Sequence, residues 1–212
     1  MITVHRAHDD LLDQVRFHCQ AYHYLHSWPD PRSLPFAYYA EIDGRTHAED
    51  GRLLGLVVMK KPQHHQHHGL FGYPKLPTAW QVLDLARVWV HPSLQFQRVN
   101  GHSLCIFSQM VGKVLRRVQW DWLEHHPPRY PDRSYHIELI ISYCEIAHHT
   151  GKAYRASGFT QHGFSRDMSM EVYIRRLRPP QQRWTPKRLP ARVEAQMPLF
   201  ADVPILYREC EA

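Results

Sequence analysis

The sequence predicts an α/β protein that is built on a mixed β-sheet. Segments with helical and strand periodicity follow one another in the order helix, hairpin, strand, helix, strand, helix, strand, which is typical of this class. Hydrophobic residues make up 43% of the 212 residues, which is enough for one well-buried core. Residues 137–143 form a nearly continuous apolar run, as expected for a central strand that is buried on both faces.

The N-terminal part of the chain is predicted to hold one helix and one pair of strands. Apolar residues recur at helical spacing between Leu11 and Cys19, which predicts a helix that ends near Ala21. Residues 36–42 and 53–59 are predicted to be strands, because a loop that contains Gly and Asp separates them. The short connection makes them an antiparallel pair.

The central part is predicted to alternate between strands and a long helix. We expect a strand at 83–90 and, after a loop, a helix at 101–118, where apolar side chains recur at helical spacing. Residues 120–133 are expected to be irregular, since prolines cluster near their end. The body is completed by a helix at 150–157 that stops at Gly158, a suitable C-cap, and by strands at 159–163 and 168–174.

Positive charge is concentrated near the C-terminus. The chain carries 26 Lys and Arg against 20 Asp and Glu, a formal net charge of +6, and residues 172–193 contain no acidic residue. Because prolines interrupt this stretch, we predict a domain at 1–178 followed by an extended basic tail at 179–212. Such a tail can lie along DNA phosphates, although a solvated linker has the same composition. The candidate DNA-binding residues are Arg175, Arg176, Arg178, Arg183, Lys187 and Arg188.

The composition argues against a membrane-spanning or disulfide-rich protein. No apolar run approaches the roughly 20 residues that cross a bilayer, and the N-terminus lacks the apolar region of a signal peptide. The 4 cysteines lie far apart and form no CxxC pair. We therefore expect a soluble protein of the cytoplasm.

The junction after the strand at 83–90 holds the strongest local motif. Arg98, Gly101 and Ser103 follow the pattern Arg-x-x-Gly-x-small between a strand and a predicted helix start. Backbone N–H groups at a helix start suit a pyrophosphate. The pattern resembles the acyl-CoA-binding motif of the GNAT acetyltransferase superfamily, with Ser103 in place of the last Gly or Ala. The resemblance implies an acyl-CoA-type donor and these binding residues: Val90, Arg98, Val99, Asn100, Gly101, His102 and Ser103.

A second motif has the same implication. Tyr154 lies in the short predicted helix that stops at Gly158 and Phe159. This arrangement resembles the GNAT helix whose tyrosine protonates the departing CoA thiolate. A phenol with an ordinary pKa of about 10 suits that step. The alternative is an aromatic side chain that only packs on the sheet.

Further segments resemble one particular group within the GNAT-like proteins. They are Tyr22-His23-Tyr24-Leu25 with Leu34-Pro35-Phe36, Asp84-Leu85-Ala86-Arg87, Asn100-Gly101-His102-Ser103, Ser142-Tyr143-Cys144-Glu145 and residues 149–159. In this order they resemble the phage Mom DNA-modification family, a divergent GNAT-like group, over roughly residues 15–175. Asp84 stands for the family's usual Glu and Glu145 for its usual Asp, so the carboxylates are kept while their reach changes.

The resemblance implies an enzyme that transfers a carbamoylmethyl-type group to adenine N6 in DNA and protects phage or prophage DNA from restriction. It also implies an acyl-CoA-type donor and a metal, iron. By position, Arg87, Ser103 and Tyr154 become the catalytic residues, and His23 and Glu145 the metal ligands. Four of these residues also have a structural alternative. Arg87 could form a buried pair with an Asp, Ser103 could be a serine at a helix start, and Tyr154 could be a core aromatic ring. His23 could make a single hydrogen bond at a helix end.

Two other functions stay open. An ordinary N-acetyltransferase that acts on a protein or a small amine would use the same donor, although it has no need of the block around residues 142–151. A non-catalytic DNA-binding protein with this fold would have lost the donor site. The intact Arg98, Gly101 and Tyr154 argue against that alternative.

A short motif lies in the tail. Gln196, Met197, Leu199 and Phe200 resemble the Gln-Leu-x-Leu-Phe peptide by which bacterial DNA-processing proteins bind the replication sliding clamp. A glutamine with apolar anchors suits such a groove. Folding of the same apolar residues onto the core is the alternative.

Overall fold

A computed structural model describes residues 1–62, 81–95, 98–99, 102–103, 105–125, 137–147, 149–165 and 167–177. The helices are α1 (Asp9–Tyr22), α2 (Ile106–His125) and α3 (Lys152–Ala156). The strands are β1 (Ile2–Arg6), β2 (Phe36–Ile42), β3 (Gly55–Lys60), β4 (Val82–Val90), β5 (Arg98–Val99), β6 (His102–Ser103), β7 (Leu139–Glu145), β8 (Thr160–Phe164) and β9 (Met170–Arg176).

Seven of these strands form one mixed sheet in the order β1-β2-β3-β4-β7-β9-β8. Neighbouring strands are antiparallel, except that β4 and β7 are parallel. β5 and β6 pair separately. The mixed sheet predicted from the sequence is therefore confirmed, with the apolar strand β7 in its interior.

Helices cover both faces of the sheet. On one face, Val15 and Cys19 of α1 share a buried cluster with residues of β2 and β3. On the other face, α2 contributes an apolar stripe to a larger cluster, which includes Met110, Val114 and Trp122. Each helix buries the stripe that its periodicity predicts, and the sheet separates the two clusters.

The prediction for the long helix was wrong at both ends. α2 begins at Ile106 and not at residue 101, because residues 98–103 hold the strands β5 and β6. It also continues through residues 120–125, which were expected to be irregular. Trp122 is buried in the core, and the carboxylate of Asp121 accepts a hydrogen bond from the Tyr38 hydroxyl at 2.7 Å. These contacts hold the last turns of the helix.

β1 was not predicted. Ile2 and Val4 are its only buried apolar side chains, so its pattern is too short to stand out in the sequence. It pairs with β2 from Ile2 opposite Ile42 to Arg6 opposite Tyr38. The other predicted helices and strands agree with the structure to within about two residues at each end.

No helix in the described part of the chain is long and apolar enough to cross a membrane. The predicted tail at 179–212, with its candidate DNA-binding and clamp-binding residues, lies outside the described residues.

Candidate active site

An opening between β4 and β7 is the most distinctive feature of the sheet. The two parallel strands pair at only three positions, the last of which is Asp84 opposite Ile141. β4 then continues to Val90 beside β3, and β7 continues to Glu145 beside β9. Beyond the paired segment, the facing strand edges carry backbone N–H and C=O groups that an extended ligand can bond. We call this opening the β4–β7 notch.

A serine and a tyrosine mark the inner end of the notch. Ser142, the first residue of β7 beyond the paired segment, is fully buried, and its hydroxyl donates to Leu85 O at 2.9 Å. Ser142 lies close enough to Tyr154 to influence the pKa of its phenol. Burial is the main cause that raises the pKa of Tyr154 above its ordinary value. The phenol is therefore protonated at neutral pH and is held where the strands begin to separate.

Packing and a polar network fix the ring of Tyr154. It stacks on Tyr173 at 5.1 Å between ring centroids, with 17° between the ring planes. The Tyr173 hydroxyl donates to Glu171 Oε2 at 2.7 Å and accepts from Arg155 Nη1 at 2.7 Å. Gly151 lies against this hydroxyl with φ +66°, and a Cβ there would clash with it. Tyr154 is thus part of the core and also borders the notch, so the two readings of this residue are compatible.

A β-bulge determines where Arg87 points. Leu85 pairs with Met59 and Arg87 pairs with Val58, which leaves Ala86 as the extra residue of β4. A bulge reverses the alternation of side chains that follow it. Leu85 accordingly lies in the α2-side cluster, while Arg87 turns to the α1 side of the sheet.

Arg87 is half-buried without a carboxylate partner among the described residues. Its guanidinium donates to Ser27 O at 3.3 Å, to Ser27 Oγ at 3.1 Å and to Ala86 O at 2.7 Å. Asp84 instead pairs with Lys60, whose Nζ lies 3.3 Å from its Oδ2. The buried Arg–Asp pair considered as an alternative is therefore not formed, and the positive charge next to the notch is not neutralised by an ion pair.

The segment that follows α1 borders the same opening. His23 is buried, and its Nδ1 accepts a hydrogen bond from Leu25 N at 3.2 Å. Burial, helped by Arg87 and His149, lowers the pKa of His23 to about 3, so its ring is neutral. Tyr24 lies edge-on to His149 at 5.2 Å between ring centroids. Residues before β2 and after β7 thereby meet on the α1 side of the notch.

The structure does not assemble the predicted iron ligands. Among the described residues, no three His, Cys, Asp or Glu side chains are grouped as a metal site requires. The Nδ1 lone pair of His23 is already used by Leu25 N–H. The described residues therefore do not fit an iron centre, and no chemical step here depends on one.

The segment expected to bind the pyrophosphate precedes α2 and does not form its start. Arg98 pairs with Ser103 and Val99 pairs with His102, so Ser103 lies in β6 and not at the start of α2. Val90 is buried in the α2-side core at the end of β4. Two of the predicted donor-binding residues, Asn100 and Gly101, lie outside the described residues.

Two of the candidate DNA-binding arginines can be described. Arg175 donates to Ser157 O and lies against Gly158, so it closes the C-terminal end of α3. Arg176 is exposed at the end of β9. The remaining candidates, Arg178, Arg183, Lys187 and Arg188, lie outside the described residues.

Sequence reasoning missed the contacts that hold Tyr154, although Ser142 and Gly151 lie in segments that carry the family resemblance. Ser142 was visible as a single hydroxyl in an apolar run, a signal for a buried hydrogen bond. Tyr173 and Gly151 gave no such signal, because their roles depend on contacts between separate elements.

Comparison with known proteins identifies the fold. No protein-family model matches the sequence, and no curated protein is detectably similar to it. Among solved structures, aminoglycoside acetyltransferase AAC(6')-Ib, in complex with coenzyme A and kanamycin, is 11% identical with a TM-score of 0.50, over 83% of this chain and 95% of that chain. NAA60 of Arabidopsis thaliana, in complex with acetyl-CoA, is 11% identical with a TM-score of 0.48, over 84% and 98% of the two chains. The chain therefore has the fold of the GNAT acetyltransferases, as the sequence predicted.

Proposed function

We propose that this protein is a GNAT-fold transferase that uses an acyl-CoA-type donor to modify adenine N6 in DNA. One observation carries the proposal. Residues of four sequence segments that resemble the Mom family, among them Tyr24, Arg87, Ser142 and Tyr154, gather around one opening, although they come from three separate regions of the chain. A set of segments matched by chance has no reason to converge in this way.

The notch suits an acyl-CoA-type donor, which supplies an activated thioester. Beyond the paired segment, backbone groups on the edges of β4 and β7 can bond an extended chain with amide groups. The protonated phenol of Tyr154 can transfer its proton to the departing thiolate. Arg87 can stabilise the negative charge that develops on the reacting oxygen, because three hydrogen bonds leave two of its five N–H groups for the reactants.

DNA is proposed as the acceptor on the strength of the Mom resemblance and of the basic C-terminal segment. Adenine N6 lies in the major groove of a duplex, so a site inside a protein requires the base to be extruded, at a cost of a few kcal/mol. Protection of phage or prophage DNA from restriction would follow from the modification. The motif Gln196-Met197-Pro198-Leu199-Phe200 would bring the enzyme to DNA through the sliding clamp, which a pull-down with a Gln196/Phe200 double alanine variant tests.

Nucleoside mass spectrometry of DNA from cells that express the protein tests the proposal. A heavier deoxyadenosine, absent from cells without the protein, is the expected result, and its mass gives the transferred group. Unmodified DNA from cells whose purified protein binds acetyl-CoA would contradict DNA as the acceptor and favour an ordinary amine acetyltransferase. Unmodified DNA together with no CoA binding would favour a non-catalytic DNA-binding protein.

Deletion of residues 179–212 tests the role of the basic tail. We expect weaker DNA binding, since basic residues would no longer contact phosphates, and unchanged CoA binding, since the notch lies in the sheet. Titration of DNA and of acetyl-CoA with both proteins measures the two effects. An equal loss of both affinities would contradict the assigned role.

A further inference from the structure

Arg116 of α2 has one basic neighbour on its own helix and another on the adjacent sheet. Lys113 lies one turn before it on α2. Arg175 of β9 lies on the α2 side of the sheet, because it follows the core residue Tyr173 by two positions. Its guanidinium is close enough to Arg116 for the two charges to interact. We call Lys113, Arg116 and Arg175 the basic α2–β9 surface.

The charge of this surface is not neutralised by the protein within the part of the chain that the structure describes. There, no acidic side chain lies within ion-pair distance of Lys113, Arg116 or Arg175. The residues three and four positions before and after Arg116 on α2 are all uncharged or basic. Since adjacent like charges repel one another, a bound anion would stabilise the arrangement.

Backbone contacts hold the two guanidinium groups and leave N–H groups for a ligand. Arg116 is exposed, and its Nε donates to Gly112 O at 3.2 Å, so both of its Nη groups can bind an anion. Arg175 donates through Nη1 to Ser157 O at the end of α3. A Cβ at Gly158 would lie 2.8 Å from Arg175 Nη1, so this glycine leaves room for the guanidinium. Arginines held in this way suit a phosphate group, which the planar guanidinium can bind with two hydrogen bonds.

Gly112 keeps the surface of α2 open beside these residues. It lies inside the helix, where glycine is less favourable than alanine. A Cβ at this position would meet nothing within 4 Å. Packing within the protein therefore does not require a glycine here, whereas a partner that approaches the helix backbone would.

We propose that Lys113, Arg116 and Arg175 bind the phosphate backbone of DNA and that Gly112 leaves room for the strand. This inference rests on the proposed function, in which DNA is the acceptor, and assigns a phosphate-binding surface to the folded domain. The predicted basic tail begins at residue 179, four positions after Arg175, so the two sets of basic residues are continuous in the chain. Contacts of this kind orient a duplex and do not read its sequence.

Titration of a fluorescently labelled DNA duplex with the full-length protein, at several salt concentrations, tests the inference. Lys113→Gln with Arg116→Gln is expected to weaken binding about tenfold or more at low salt. The slope of log affinity against log salt should fall by about 2, since each lost phosphate contact lowers it by about 0.9. Arg116→Lys keeps the charge and is expected to retain most of the affinity. Arg16→Gln with Arg45→Gln removes the same charge from α1 and from the loop after β2, and is expected to keep the wild-type slope.

Gly112→Gln separates a lost contact from a lost fold. Glutamine is a better helix former than glycine and has open space at this position, so the variant is expected to unfold at a higher temperature than the wild type. Its side chain would occupy the space assigned to the DNA strand, so DNA binding is expected to weaken. A variant that is more stable and binds DNA like the wild type would contradict the role of Gly112.

Acetyl-CoA binding by the same proteins identifies the source of the bound phosphate. The Lys113/Arg116 double variant is expected to bind acetyl-CoA like the wild type, and a loss of that affinity would assign the surface to the phosphates of the donor and overturn the inference. Wild-type DNA affinity and slope in the double variant, or an equal loss in the Arg16/Arg45 control, would overturn the inference alone. The expected loss of DNA binding, together with unmodified DNA in cells, would keep the surface and contradict the proposed modification. A wild-type protein that binds no DNA would overturn both.

Discussion

Single residues on β9 and at the start of α3 decide whether Tyr154 is held at the notch. The Tyr173 ring stacks on Tyr154, and Glu171 and Arg155 fix its hydroxyl. Gly151 provides the space for that hydroxyl. The candidate proton donor therefore depends on side chains that have no contact with a reacting group.

Gly151→Ala is expected to destabilise the protein by about 1–3 kcal/mol and to lower its activity. The new Cβ would clash with the Tyr173 hydroxyl, and φ +66° is unfavourable for alanine. Gly44→Ala is the matched control, because Gly44 has φ +78° with nothing within 4 Å of a Cβ. Urea denaturation measures both. Equal losses of stability in the two variants would contradict a specific role for the space at Gly151.

His23 predicts a pH dependence of stability. Its pKa is lowered from the ordinary 6.5 to about 3 in the folded protein. Between these values the unfolded chain binds a proton that the folded chain does not, so the free energy of unfolding falls as the pH falls through this window. The contribution is at most about 1.4 kcal/mol per pH unit. His23→Asn, which keeps an acceptor for Leu25 N–H, is expected to flatten the profile between pH 3 and 6.5, and an unchanged profile would contradict the assignment.

At the scale of elements, the candidate site depends on what ends or interrupts each strand and helix. The sequence pattern of β4 was sufficient to predict a strand within one residue of its observed start. It was not sufficient to predict the bulge at Ala86, because apolar residues lie on both faces of this strand and either alternation fits them. The face on which Arg87 lies, and with it one wall of the candidate site, could be known only from the pairing of β4 with β3.

The long helix α2 was also predicted only in part. The spacing of its apolar residues correctly predicted which stripe of α2 is buried. Its ends depend on β5, β6 and the contacts of Asp121, which are tertiary interactions. The motif at 98–103 was recognised as a pattern, but the pattern alone did not reveal that these residues form strands.

Asp121→Ala tests how the end of α2 is held. Asp121 accepts from the Tyr38 hydroxyl at 2.7 Å and from Arg117 Nε at 2.6 Å, so its loss leaves a buried hydroxyl without a partner. We expect the free energy of unfolding to fall by about 1–3 kcal/mol. Asp13→Ala, which breaks an exposed pair with Arg16 on α1, is expected to change it by at most about 1 kcal/mol. Thermal denaturation that shows no difference between the variants would contradict the role given to Asp121.

At the scale of the whole molecule, both faces of the sheet contribute side chains to the notch. On the α2 side, Tyr154 and Ser142 mark the inner end of the notch, and we assign this side to the donor. On the α1 side, Arg87, Tyr24 and His149 lie at the opening. The fold predicted from the sequence is confirmed, whereas the adenine acceptor remains a proposal that the Mom resemblance supports.

The most direct test of this account is the amount of modified deoxyadenosine in plasmid DNA from cells that express the wild-type protein or Tyr154→Phe. The substitution removes the proposed proton donor and keeps the ring that stacks on Tyr173. The account predicts a heavier deoxyadenosine with the wild-type protein and at least about a tenfold reduction with the variant, since general acid catalysis contributes about that much or more. Equal modification by the two proteins would contradict the role of Tyr154, and unmodified DNA with the wild-type protein would contradict DNA as the acceptor.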